Sequence, residues 1–361
     1  MQDKTNRRVL ANLGFLCQIA GLLIILPIFI GFYLSEFESI IPLLITCVSF
    51  LGSGFLMNVL AERKELDLKS SCVLILIAFL FLPLIGSIPY IYFNSFNDGD
   101  LIKRFTNAYF ESVSGYTTTG FSFVSDTDSL PKSFLFYRSL TELIGGVGIV
   151  FMLLAFLYPN KSVMSLGEVL GIDDLCDDLK KIFLSVLLIY GIYVVAFSLI
   201  FYYFGFQDVI ATSSFLIDTI TGGYQPSPKQ FQRYLFFPIK TFILLIMFVG
   251  SVNFSFNYRI FTLKWKKAIT KEVLLYLCII FFGAFLILFL SEKELFDSIF
   301  HVVSMSSSTG YDYIDIPKLN DIVRSIFILL MMLGGCGFSM AGGIKLYRLV
   351  IFFKSIGIGI K

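Results

Sequence analysis

With 361 residues, 57% of them hydrophobic, and a mean hydropathy of +0.83, the chain carries too much apolar surface for a water-soluble fold. Charged residues reach 15%, against roughly 25% in soluble domains. A formal net charge of +2 leaves no electrostatic footprint for nucleic acid, so composition selects an all-α integral membrane protein in contact with lipid.

About 20 apolar residues cross the ~30 Å hydrocarbon core at 1.5 Å per residue. Eight such runs are predicted, near 9–33, 38–60, 71–93, 133–158, 182–205, 234–258, 273–291 and 322–353. The first follows a basic start (Lys4, Arg7, Arg8) and has no small-residue cleavage site, so it reads as an anchor and not a signal peptide. Residues 1–68 form a predicted two-helix hairpin.

The remainder repeats one unit three times, over 69–160, 161–265 and 266–361: a span, a short half-helix, a Thr-Gly turn and a second span. The half-helices are predicted at 106–116, 208–219 and 297–305, with N-caps Thr106, Asp208 and Asp297. They lead into Thr117-Thr118-Thr119-Gly120, Thr221-Gly222-Gly223 and Ser308-Thr309-Gly310-Tyr311. Each half-helix is too short to cross a bilayer, which marks it as re-entrant. Irregular backbone at membrane depth survives only when buried in protein or lining a wet cavity. A half-helix entering from outside points its partially negative C-terminus inward, and carbonyls of the turn can replace an ion's hydration shell. Close packing through small residues is the rival explanation of one such motif. Three in register, each behind a capped half-helix, weigh against it.

Starting the N-terminus inside places Arg63, Lys64, Lys69, Lys161, Lys180, Lys181, Arg259, Lys264, Lys266, Lys267, Lys271, Lys345, Arg348, Lys354 and Lys361 inside. That leaves about 18 Lys/Arg inside and about 10 elsewhere. The positive-inside bias therefore predicts a multi-pass protein of the cell membrane with a cytoplasmic N-terminus. The six cysteines (Cys17, Cys47, Cys72, Cys176, Cys278, Cys336) show no metal spacing and read as small hydrophobes. Lone His301 reads as a packing or hydrogen-bonding residue. Arg138 and Glu142, four apart, read as an i,i+4 pair or as support for a pore vestibule, and Asp218 as a cation-attracting or hydrogen-bonding carboxylate at a half-helix end. Gly334, Gly335, Gly337, Gly342 and Gly343 lie within ten residues and each costs about 1 kcal/mol in a helix, so the last apolar run should break into two halves around a loop.

Residues 108–120 (AYFESVSGYTTTG) followed by 135–149 (LFYRSLTELIGGVGI) resemble the Trk/Ktr/HKT potassium-transporter superfamily. Residues 221–223 with 250–257 (GSVNFSFN) look like its second repeat, and 301–311 with 334–345 (GGCGFSMAGGIK) like its third. The N-terminal hairpin is similar to the TrkH-type branch. The resemblance implies a pseudo-fourfold cation pore with one filter glycine per repeat: Gly120, Gly222 and Gly310, flanked by Thr118, Thr119, Thr221, Gly223, Thr309 and Tyr311. Arg138, Glu142 and Asp218 then fall in filter-support positions. It makes the glycine-rich stretch an intramembrane gate, with Gly334, Gly335, Cys336, Gly337, Ser339, Gly342 and Gly343 as its residues.

The resemblance further implies inward conduction of K⁺, or of Na⁺, without covalent chemistry or a cofactor in this chain. It implies a homodimer and a cytosolic RCK (TrkA-like) ring through which nucleotide acts. The family has four repeats and this sequence matches three, so a fragment or natural truncation lacking the fourth repeat is expected. The alternative is a truncated, non-conducting structural or regulatory membrane subunit. A membrane-embedded enzyme would need clustered intramembrane His, Asp or Glu, which the sequence does not supply.

Overall fold

A computed structural model describes residues 2–61, 68–93, 95–96, 99–124, 126–157, 179–226, 228–291 and 294–359. The basic positions Arg63, Lys64, Lys161 and Lys361, together with Cys176, lie outside them. Among the described residues, regular structure is entirely helical. Among the described residues, five helices are long and apolar enough to cross a membrane: Arg7–Leu34, Phe37–Leu60, Ser70–Phe93, Ser185–Tyr203 and Lys271–Ser291. The predicted run 133–158 is also helical as far as Leu157.

Two compact units divide the chain, one formed by Met1–Lys161 and Tyr202–Ile217, the other by Ser162–Phe201 and Asp218–Lys361. The first unit opens with α1 (Gln2–Leu34) and α2 (Phe37–Leu60). Between them, Ser35 turns the chain at φ 59°, with Ser35 N–H donating to Phe32 O and Glu36 N–H to Gly31 O. That bond pair is a left-handed helix cap, which reverses the chain in two residues. The hairpin crosses tightly: a Cβ at Gly14 would lie 2.8 Å from Gly54 O, and one at Gly54 would lie 2.6 Å from Gly14 O. Small residues permit this approach, and dispersion contacts reward it where lipid removes the hydrophobic drive between helices.

Around the hairpin pack α3 (Leu68–Gly86), α4 (Ile88–Phe93) and α6 (Lys132–Leu157), and α5 (Leu101–Tyr116) packs in turn on these three. Their shared core includes Cys17, Ile24, Leu43, Phe50, Tyr90 and Phe134. Large side chains such as Phe29, Val48, Phe55 and Leu76 stay exposed on the spans, as lipid-facing residues must. The Glu36 carboxylate accepts from Lys132 N–H (3.0 Å), Ser133 N–H (2.9 Å) and Ser133 Oγ (2.6 Å). The hairpin turn thereby caps the orphan donors at the start of α6.

The second unit contains α7 (Leu179–Tyr203) up to Phe201, the end of α8 (Val209–Thr221), and α9 (Pro228–Tyr234). Next come α10 (Ile239–Ser251), α11 (Phe254–Phe261), α12 (Trp265–Ala268) and α13 (Lys271–Ser291). Last are α14 (Leu295–Ser306), α15 (Asp321–Leu333) and α16 (Leu346–Gly359). Helix α14 packs between α10, α13 and α15.

One predicted span is corrected: the run 234–258 is bent by 113° between α10 and α11. The run 322–353 is two short helices joined by a loop, as its glycines predict. At the bend Asn253 caps α11 by accepting from Phe256 N–H (2.8 Å), and Asn257 Nδ2 reaches back to Val249 O (3.1 Å).

Gly54→Val drives a branched side chain into the Gly14 backbone and should cost about 1–3 kcal/mol. Gly52→Ala meets nothing within 4 Å in the same helix and should be neutral or stabilising by up to about 1 kcal/mol. Thermal unfolding midpoints of the two variants in detergent separate these outcomes.

Candidate functional site

The first half-helix is longer than predicted. It starts at Leu101, and Asp100 caps it by accepting from Ile102 N–H; Thr106 is interior and its hydroxyl donates to Ile102 O. With the helix starting at Leu101, Asp100 satisfies an orphan donor that Thr106 does not reach. The third likewise begins at Leu295, with Asp297 inside its first turn accepting from Tyr313 Oη (2.5 Å). The predicted cap Asp208 holds, accepting from Ala211 N–H at 3.1 Å.

At the C-terminus of α5, Thr118 N–H donates to Gly115 O and Thr119 N–H to Ser114 O, both at 2.9 Å. Thr118 is left-handed (φ 53°), and so is Gly120 (φ 75°). A threonine in that region is uncommon. Here the neighbouring Thr117 Oγ1 donates to Val113 O (2.8 Å) and lies 2.7 Å from Thr119 Oγ1. From behind, α6 seats the turn at Gly145, where a Cβ would overlap the Tyr116 carbonyl oxygen.

The stretch after the turn is held by a buried ion pair. Arg138 Nη2 lies 2.5 Å from Glu111 Oε1, with side chains 5% and 0% exposed. Glu111 also accepts from Ser122 Oγ (2.7 Å) and Phe123 N–H (3.1 Å), and Arg138 donates to Ser122 Oγ (3.1 Å). Arg138 thus joins α6 to α5 and to the outgoing chain. Glu142 is fully buried one turn along.

The second and third turns are in contact within the second unit. Gly222 (φ 73°) ends α8, and both Gly222 N–H (2.9 Å) and Gly223 N–H (3.3 Å) donate to Asp218 O. Asp218 therefore supports the turn through its main-chain carbonyl. Helix α10 seats this turn at Gly250, where a Cβ would overlap Ile220 O. In the third turn Ser308 (φ 67°) and Gly310 (φ 70°) are left-handed, and Ser307 Oγ lies 2.8 Å from Thr309 Oγ1.

The first left-handed residue after the helix is Thr118, Gly222 or Ser308, and the carbonyl seated on glycine lies two residues before it in turns one and two. By local geometry Gly222 therefore matches Thr118 and Ser308. Tyr224 then falls where the other turns have Gly120 and Gly310.

Thr309 Oγ1 donates to Thr219 O (3.3 Å), Gln225 Nε2 to Gly310 O (2.9 Å), and Ser304 Oγ to Tyr311 O (2.6 Å). His301 is fully buried; Nδ1 lies 2.7 Å from Asp297 O, and Tyr313 N–H donates to Nε2 at 3.4 Å. Donor on one nitrogen and acceptor on the other match a neutral ring with a hydrogen-bonding role.

The glycine-rich loop 334–345 is closed at its neck, where Gly334 (φ 57°) and Gly343 (φ 73°) have backbones in contact. Its main chain bonds to the α10–α11 bend: Cys336 N–H to Ser251 O (2.9 Å), Met340 N–H to Gly250 O (3.0 Å) and Phe254 N–H to Phe338 O (2.9 Å). Gly337 N–H donates to the Glu272 carboxylate (2.6 Å), and Lys345 Nζ donates to Ala341 O, Ser339 O and Ser339 Oγ. Gly335 is packed against Ser251. Cys336 and Ser339 are both buried within this arrangement.

Among the described residues no group of three His, Cys, Asp or Glu side chains is placed to hold a metal. The turns offer main-chain carbonyls and hydroxyls, which suit a weakly hydrated monovalent cation passing through. Sequence reasoning missed Glu111, Glu272, Gly145 and Gly250 as structural partners. The signal available for Glu111 was a lone carboxylate in the half-helix just before the Thr-Gly turn.

The TrkH family, described as cation transport protein, matches residues 291–360. An uncharacterized cation transporter of Methanocaldococcus jannaschii is 29% identical over 355 residues, covering 96% of this chain and 72% of that protein. The Trk system potassium uptake protein TrkH of Escherichia coli is 24% identical over 311 residues, covering 81% of this chain and 63% of that protein. The crystal structure of the potassium transporter TrkH from Vibrio parahaemolyticus superposes with a TM-score of 0.78 at 20% identity, covering 96% of this chain and 74% of that one. The chain thus spans about two thirds to three quarters of the length of these relatives.

Replacing Arg138 by Met strands the Glu111 carboxylate without its cation, and removing one partner of a buried pair costs about 3–5 kcal/mol. A fall of several degrees in the thermal midpoint is expected. An unchanged midpoint would remove the pair from the account of the first turn.

Proposed function

We propose that this chain, a Trk-family membrane transport subunit and not an enzyme, carries K⁺ inward along the carbonyl-bearing turns that end its half-helices. The observation that supports the reading is the repeated turn: a helix C-terminus followed by left-handed residues. Helix C-termini favour a cation. The uptake of potassium named for the Escherichia coli relative supports the choice of ion.

In this reading Thr118, Thr119 and Gly120, then Thr221, Gly222 and Gly223, then Thr309, Gly310 and Tyr311 supply the filter. Asp218, Arg138 and Glu142 support it, and the loop containing Gly334, Gly335, Cys336, Gly337, Ser339, Gly342 and Gly343 is the gate. A cytoplasmic N-terminus, a homodimer and a cytosolic RCK ring that confers nucleotide control complete the proposal. The basic, exposed segment Lys264, Lys266, Lys267 and Lys271 is a suitable face for that ring.

Membrane vesicles containing the protein should take up ⁸⁶Rb⁺, and K⁺ should compete better than Na⁺. Gly120→Ser places a side chain at φ 75° and should reduce K⁺-over-Na⁺ discrimination about tenfold, equivalent to about 1.4 kcal/mol. Unchanged discrimination would refute the assignment of Gly120, and absence of uptake by folded protein would favour a structural or regulatory subunit.

A further inference from the structure

Ser308 occupies a left-handed position (φ 67°) that glycine fills in the second turn. A side chain there is strained, and glycine would relieve it. What the serine adds is its hydroxyl: Gly342 N–H donates to Ser308 Oγ at 2.7 Å. That bond runs from the third turn to the glycine loop, and a Cβ at Gly342 would lie 3.0 Å from the same oxygen. The flanking residues of the loop are anchored elsewhere, Met340 to Gly250 and Ile344 to Met332. The limb 341–343 meets the turn through Ser308.

We propose that Ser308 is a positioning residue for transport, whose hydroxyl latches the glycine loop to the third turn. It couples displacement of the loop to the geometry of Thr309 and Gly310. The inference rests on the transport reading for its purpose, while the latch itself concerns the loop and is measurable without flux.

Cys336, fully buried in the loop, reports the displacement. Its modification by N-ethylmaleimide is followed at the peptide level by mass spectrometry, in membrane vesicles of the otherwise unaltered protein. Ser308→Gly relieves backbone strain and should fold; Ser308→Ala removes the hydroxyl with the least change of shape. Both should raise the Cys336 modification rate about fivefold, the equilibrium shift that the net worth of one hydrogen bond produces. Ser308→Thr should retain the unaltered rate, since Thr118 adopts the same conformation in the first turn.

⁸⁶Rb⁺ uptake by the same vesicles should rise with the modification rate. Unchanged modification in both Ser308→Gly and Ser308→Ala overturns the latch, as does a Thr variant that behaves like the Gly variant. Faster modification with no uptake in any protein, the unaltered one included, overturns the transport reading and leaves the latch standing.

Discussion

Main chain that leaves helical geometry inside a membrane must satisfy its own N–H and C=O groups without water, and this requirement organises the protein. The glycine loop meets it through the α10–α11 bend. That bend frees Gly250 and Ser251 carbonyls and the Phe254 N–H, and the loop pairs with all three. Two breaks that would each be costly alone supply one another's hydrogen bonds. Neither the bend nor the loop is understandable as an isolated helix defect.

The same requirement explains the turns. A half-helix ending within the membrane exposes its last carbonyls, and left-handed caps recover some of them for internal bonds. Turn one uses threonine hydroxyls for the remainder, and turns two and three borrow from each other through Thr219, Thr309 and Gln225.

Glycine acts here in two distinct ways. At Gly120, Gly222, Gly310, Gly334 and Gly343 it accepts a left-handed backbone. At Gly145 and Gly250 it is an ordinary helical residue whose missing side chain makes room for the carbonyl end of a half-helix. The second use positions the first, because it sets how deeply each turn sits against the helix that follows it.

Apolar length and the Thr-Gly repeats made the membrane class, the hairpin, the half-helices and the broken last span legible in the sequence, since these depend on local composition and propensity. Helix starts were less legible: Asp100 and Thr106 are both competent caps, and only the packed helix decides which one has an orphan donor within reach. The Glu111 partner of Arg138 was not legible, because Glu111 lies 27 residues away in the chain. The register of the second turn was also hidden. Thr-Gly reads alike in all three repeats, yet α8 continues to Thr221 and makes Gly222 its terminating residue. By itself the sequence determined that the half-helices are short and that the last apolar run must break, but not the α10–α11 bend or the end of α8. Which groups receive the polar atoms released there was decided by the tertiary structure, because main-chain acceptors are alike at every residue and donors at every residue but proline, so only proximity selects among them.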